Sequence, residues 1–135
     1  MEYIKWNDEM SVNINSIDLQ HQKLITEINN FYNDLGKKKN ADILSGILYQ
    51  LKKYSIYHFD TEEALMRKFG FKGYIDHKID HGLFIKKIDD LQSKLDEGKM
   101  VLTLELASFL KDWLSNHILK TDKEYSKFLN ECGVK

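Results

Sequence analysis

The chain of 135 residues has room for one domain with a core of ordinary size and none for a second. Twenty Lys and Arg against 21 Asp and Glu leave a net charge of −1, which excludes the basic footprint that nucleic acid or an anionic membrane demands of a partner. Proline is absent, glycines number only seven, and Leu, Lys, Glu, Asp and Ile are plentiful, so a turn-rich β protein is excluded and an all-α chain expected.

Residues 1–16 read as a polar and aromatic N-terminal arm. Its opening MEYIKWNDEM lacks the basic, apolar and small-residue succession of a signal peptide, and no apolar stretch is long enough to span a bilayer, so the expected address is cytoplasmic. From Ile17, a helical period runs through His21, Leu24, Ile25, Ile28, Phe31, Tyr32 and Leu35, and the first helix ends near Gly36. Asn15 or Ser16 can cap its start, with Asp18 in the first turn. Lys37, Lys38 and Lys39 read as a solvated loop. The second helix turns Leu44, Ile47, Leu48, Leu51, Tyr54, Ser55, His58, Glu62, Leu65, Met66 and Phe69 inward.

After a turn at Gly70 to Gly73, Tyr74, His77, His81, Phe84, Ile88, Leu91 and Leu95 repeat in steps of three and four, the period of a bundle seam. Glu97, Gly98 and Lys99 break that helix. A fourth presents Leu102, Leu106, Phe109, Leu110, Trp113, Leu114 and His117, and a short C-terminal helical segment holds Asp122, Tyr125, Phe128 and Leu129. Short loops make sequential helices antiparallel neighbours, so residues 17–131 are expected to form an up-down-up-down four-helix bundle within a single domain spanning 1–135.

Seven residues on these inward stripes suit metal ligation. His58 with Glu62, and His77 with His81, lie four residues apart, which puts each pair on one helix face one turn apart. His117 and Asp122 are five apart, so a regular helix would rotate the second about 140° from the first, and the helix must bulge or end between them if both bind. His21 opens the first helix. In an up-down bundle the start of helix one, the end of helix two, the start of helix three and the end of helix four share one end, and the ligands occupy those four places.

Five imidazoles and two carboxylates are too many for one ion, and a structural zinc site would favour thiolates, of which Cys132 is the single candidate. Two metals fit better. If Glu62 and Asp122 each bridge, and one solvent-derived oxygen bridges as well, two six-coordinate ions are left with one open position for a small exogenous ligand. Mixed nitrogen and oxygen ligation suits iron, with manganese or cobalt possible and calcium disfavoured. There is no glycine-rich phosphate loop and no pattern for a serine or cysteine nucleophile. Cys132 reads as an idle thiol at a helix end. Glu63 reads as solvated, Met66 as packing, Asp18 as a helix-start charge and Gln20 as without a role.

These residues resemble the hemerythrin family, in particular its single-domain bacterial members, across nearly the whole chain. The resemblance is carried by Trp6, Ser11-Val12, Ile17-Asp18, Gln20-His21, His58-Phe59, Glu62-Glu63, Met66, His77, His81, Phe84, Trp113-Leu114, His117-Ile118 and Asp122. It implies a four-helix bundle holding a non-haem, oxo- or hydroxo-bridged pair of iron ions that binds O2 reversibly, drawing one electron from each iron and transforming no organic substrate. On the family pattern, His77, His81 and His117 complete one iron, His21 and His58 the other, and Glu62 and Asp122 bridge. Leu24, Phe59, Trp113, Leu114 and Ile118 match its O2-pocket positions, although each is also a plain core residue.

The expected function is therefore O2 binding for storage, delivery or scavenging, without enzymatic turnover. The alternatives are an O2 or redox sensor acting through a protein partner, or a di-iron enzyme handling peroxide or nitric oxide. Ferritin-like di-iron proteins use four carboxylates with Glu-x-x-His motifs, whereas five histidines and two carboxylates carry less negative charge and disfavour high-valent oxygenase chemistry.

Overall fold

The computed structural model describes residues 4–36, 41–97 and 103–135, and the described residues are helical apart from the arm and the turns. A 3-10 turn over Asp8–Met10 precedes α1 (Asn15–Gly36), α2 (Ala41–Phe69), α3 (Tyr74–Asp96) and α4 (Thr103–Asn116), and a π-helical turn over His117–Thr121 carries the chain into α5 (Asp122–Glu131). The fold is the expected all-α four-helix bundle. The C-terminal segment is not a separate piece, because α4, the π turn and α5 follow one another without a break. The expected loop at Lys37 to Lys39, the break at Gly98 and Lys99, and Leu102 lie outside the described residues, as do the side chains of Leu35, Leu44, Ile47 and Leu106.

The apolar stripes read from the sequence meet in two clusters. The larger gathers Leu24, Ile25, Ile28 and Phe31 of α1 with Leu48, Leu51 and Phe59 of α2, Phe84, Ile88 and Leu91 of α3, and Leu110 and Leu114 of α4. The smaller joins Ile17, Met66, Tyr125 and Leu129 to Val12 and Ile14 of the arm, with Phe69, Phe71, Tyr74 and Phe128 packed around them. Burial of side chains of this size contributes about 1.5–3 kcal/mol each against an exposed reference. Between the clusters, along every helix, lie the polar residues of the expected metal centre: His21 follows Ile17, Glu62 precedes Met66, and Asp122 precedes Tyr125.

Helix ends follow their local chemistry. Gly70 takes φ +73° after α2, a left-handed conformation that costs glycine little, and lets the Phe71 amide return 2.9 Å to the Met66 carbonyl. Gly133, at φ +90°, does the same for α5, with Val134 N donating to the Leu129 carbonyl at 3.0 Å. Cys132 caps that helix and is exposed, as expected of a thiol at a helix end. The start of α1 departs from expectation. Asn15 and Ser16 lie inside the helix rather than before it, and Asp18 turns back on the arm, accepting from Val12 N at 2.8 Å and Ser11 Oγ at 2.6 Å. Asn13 absorbs the bend with φ +56°, which an asparagine tolerates better than a branched residue.

The arm is part of the core rather than an appendage. Ile4, Met10, Val12 and Ile14 are all buried. Asn29 of α1 clasps it twice, accepting from Ile4 N at 2.7 Å and donating to Ile4 O at 2.9 Å. Asn29→Ala leaves both backbone groups of Ile4 unpaired, so the expected outcome is a loss of about 1–3 kcal/mol in chemical denaturation with an unchanged slope. An unaltered denaturation midpoint would show that the clasp contributes nothing.

Candidate metal centre

All seven expected ligands are buried and meet at one end of the bundle: His21 from α1, His58 and Glu62 from α2, His77 and His81 from α3, His117 from the π turn and Asp122 from the start of α5. Their donor atoms fall into two groups. His21, His58, Glu62 and Asp122 each place one donor within 4.8 Å of the others, and so do Glu62, His81, His117 and Asp122. Glu62 and Asp122 belong to both. His77 joins through Nε2, 3.4 Å from Asp122 Oδ1.

The five-residue spacing of His117 and Asp122 is accommodated by the bulge that spacing requires. A π turn closes a hydrogen bond from residue i+5 to residue i, and here the Asp122 amide donates to the His117 carbonyl. One extra residue per turn brings Asp122 back onto the face of His117, with His117 Nε2 2.8 Å from Asp122 Oδ1.

The inner atoms are arranged as a ligand set rather than as a hydrogen-bond network. His21 Nε2 lies 2.9 Å from Asp122 Oδ2 and His58 Nε2 lies 2.7 Å from Glu62 Oε1, yet neither nitrogen is aligned for a hydrogen bond. Both oxygens of Glu62 and of Asp122, and Nε2 of His77, are likewise buried without a hydrogen-bond partner among the described residues. Nε2 of His81 and of His117 face one another at 3.1 Å. Buried polar atoms without partners cost about 1–3 kcal/mol each, more when charged, and a shared cation is the partner that imidazole nitrogens and carboxylate oxygens can satisfy together. The donor set therefore fits a pair of borderline metals such as iron.

Charge follows from this crowding. Burial and Asp122 push the Glu62 carboxyl upward, but the close imidazoles of His58 and His117 outweigh them and hold it below the carboxylate range. Asp122 is held well below its usual value for a similar reason, burial being overcome first by His117. Burial lowers His58 and His81, so both favour the neutral form that ligates. His117 is the exception, raised in spite of its burial by the adjacent Asp122 carboxylate, by its contact with Asp80 and by Glu62.

The outer edges of three rings are held by side chains whose part the sequence did not reveal. His58 Nδ1 lies 2.7 Å from Gln20 Oε1, His81 Nδ1 3.0 Å from Glu63 Oε2, and His117 Nδ1 3.0 Å from Asp80 Oδ2. Two expectations are thereby corrected. Glu63 is not a solvated residue, because its side chain lies in the angle between α2 and α3 where it reaches His81, and Gln20 has a role. Asp80 carries no signal of its part in the sequence. Each partner stands on a helix other than that of the histidine it holds, so no spacing along one helix could have signalled it. Tyr125 reads from the sequence only as a core residue. Its hydroxyl is buried without a hydrogen-bond partner among the described residues, and its pKa is raised by burial, then by Asp122 and Glu62.

Leu24, Phe59, Leu114 and Ile118, the residues matched to an O2 pocket, are buried together on the larger cluster's side of the centre, with Trp113 partly buried against them. Phe59 stacks on His81 with centroids 3.9 Å apart, and Trp113 on His117 at 4.5 Å.

Residues 12–129 match the family model described as the hemerythrin HHE cation binding domain. The chain is 33% identical to a bacteriohemerythrin of Clostridium acetobutylicum over 124 residues, covering 89% of this chain and 96% of that one. It is 31% identical to a bacteriohemerythrin of Methylococcus capsulatus over 122 residues, covering 90% and 92%. With a myohemerythrin of Riftia pachyptila it shares 32% identity over 120 residues, covering 89% and 88%. The crystal structure of a wild-type hemerythrin superposes with a TM-score of 0.85 at 30% identity, covering 93% of this chain and 96% of that one.

The π turn gives a test of the geometry. Deleting the partly exposed Leu119 removes the extra residue, so the segment can close as an α-helix that keeps the later residues in phase. The expected outcome is full helicity by circular dichroism with metal retained, because the aspartate then lies four residues from His117, the spacing that an α-helix puts on one face. Metal lost from a fully helical deletion variant would sink the reading of the bulge as the device that returns Asp122 to the face of His117.

Proposed function

The chain belongs to the hemerythrin family, and on that premise we propose that it is a reversible O2 carrier, taking up and releasing the gas for storage, delivery or scavenging. O2 binding at a non-haem di-iron centre is its function. The single observation carrying the proposal is the convergence of two donor groups on a shared pair of carboxylates, Glu62 and Asp122, buried between apolar layers.

We assign His77, His81 and His117 to one iron, His21 and His58 to the other, and Glu62 and Asp122 to both as bridges. His117 within 2.8 Å of one Asp122 oxygen and His21 within 2.9 Å of the other support the bridging of Asp122. Glu62 Oε1 lies 2.7 Å from His58 Nε2 on one side and 3.7 Å from both His81 Nε2 and His117 Nε2 on the other. The iron pair, when bound, supplies the electrons and the open coordination position that O2 requires.

What remains is the work of the protein. Five imidazoles fix the metal positions from four sides of the bundle. Leu24, Phe59, Trp113, Leu114 and Ile118 are the proposed O2 pocket, where apolar walls exclude the water and stray protons that would turn reversible binding into irreversible oxidation. The reading is of a carrier and not an enzyme. No helix among the described residues is long and apolar enough to cross a membrane, and a cytoplasmic address is proposed with it.

The anaerobic ferrous protein, loaded with iron and exposed to O2, is expected to develop a visible charge-transfer band at two irons per chain that disappears when the gas is stripped. Irreversible oxidation with both irons retained would replace the carrier with a redox sensor or a peroxide- or nitric-oxide-handling enzyme. Two variants test the ligand and pocket assignments separately. Glu62→Ala is expected to lose at least one iron, and two irons retained would refute the bridge. Leu114→Ala is expected to keep both irons and to autoxidise faster by admitting water, so an unchanged autoxidation rate would remove Leu114 from the pocket wall.

A further inference from the structure

The outer partners of the histidines differ in charge, and the difference follows the two metal positions. On the three-histidine side, His81 and His117 each meet a carboxylate, Glu63 at 3.0 Å and Asp80 at 3.0 Å. On the two-histidine side, His58 meets the neutral amide of Gln20 at 2.7 Å. Among the described residues, neither ring nitrogen of His21 has a hydrogen-bond partner.

The orientation of that amide is fixed by a short chain of hydrogen bonds. Thr61 donates its hydroxyl to the Tyr57 carbonyl at 3.0 Å, which leaves its oxygen to accept from Gln20 Nε2 at 3.4 Å. The amide oxygen must therefore face His58, so Nδ1 of His58 carries the proton and Nε2 presents its lone pair to the centre. Glu63 and Asp80, being acceptors only, impose the same tautomer on His81 and His117.

We propose that Gln20, Glu63 and Asp80 are positioning residues that make the two metal positions electrically unequal, carboxylates enriching the three-histidine position and the amide keeping the two-histidine position neutral. The proposal rests on the ligand assignment of the preceding subsection. A carboxylate behind an imidazole makes the ring a stronger electron donor and favours the more highly charged metal. An amide holds the ring with the same geometry and adds no charge. Glu63, with 13% of its side chain exposed, acts through a lower dielectric than Asp80, with 36%, and has the larger effect. A neutral shell at the two-histidine position, the one left open to O2, avoids stabilising the oxidised iron there, and release of the gas as O2 depends on that.

Charge and support are separable by substitution. Glu63→Gln and Asp80→Asn keep an acceptor oxygen for the ring and remove the charge, whereas Glu63→Ala and Asp80→Ala remove both. Chelator competition is expected to show metal affinity reduced about tenfold or more in the Ala variants and restored in the Gln and Asn variants. Redox titration of the Gln and Asn variants, at two irons per chain, is expected to favour the ferrous form about tenfold more than in the wild type, equivalent to 59 mV for a one-electron couple. Gln20→Glu is expected to shift the potential the opposite way and to hasten autoxidation. Unchanged potentials in the Gln and Asn variants, or metal lost equally from the charge-removing and Ala variants, would overturn the proposal while leaving O2 carriage intact. A wild-type protein that retains no iron would instead overturn the ligand assignment and this inference with it.

Discussion

Seven imidazoles and carboxylates brought out of water onto one plane of a helical bundle form the constraint to which the rest of this structure answers. Removing such groups from water costs several kcal/mol for each that stays charged, and no arrangement of hydrogen bonds among five acceptor-bearing rings and two carboxylates satisfies them all. The bundle offsets that cost from both sides. A large apolar cluster packs beneath the polar plane, and a smaller one closes it above, where the arm residues Val12 and Ile14 meet Met66, Tyr125 and Leu129. The arm thereby belongs to the centre's enclosure, which explains why Asn29 and Asp18 both spend their side chains in fixing it.

The same constraint accounts for the one irregular stretch of helix. A bridging carboxylate must face inward at a height set by the other three helices, and an α-helix that places His117 correctly puts the residue five positions on about 140° away. The π turn resolves the conflict by adding a residue without ending the helix, and α5 continues in a phase that buries Tyr125 and Leu129. Local helical regularity yields to the geometry of the site, as is common for π bulges at functional positions.

Around the plane, a second ring of interactions limits how the histidines can turn. Phe59 and Trp113 lie flat against His81 and His117, while Gln20, Glu63 and Asp80 hold outer nitrogens from neighbouring helices. A ring pinned on a face and at its far nitrogen has lost its χ2 freedom before any metal arrives, so little ordering remains to oppose binding. Phe59 also touches Phe84 and Trp113, which couples the ligand positions to the packing of the main core.

The sequence by itself determined whatever depends on periodicity along one helix. Apolar stripes at steps of three and four gave the helices, the four-residue spacings paired His58 with Glu62 and His77 with His81, the alternation of chain direction put all seven ligand candidates at one end, and the five-residue step to Asp122 required a bulge. The tertiary structure alone decided what depends on how one helix is rotated against the next. Glu63 lies one residue past Glu62 and so off the inward stripe, yet the angle between α2 and α3 turns it to His81. Asp80 sits between two ligand candidates with nothing in its own helix to distinguish it from a solvated aspartate, and it meets His117 of the π turn. Gln20, beside His21, supports a histidine on α2 instead. A side chain that acts across an interface is selected by distance between backbones, and that distance has no period in the chain.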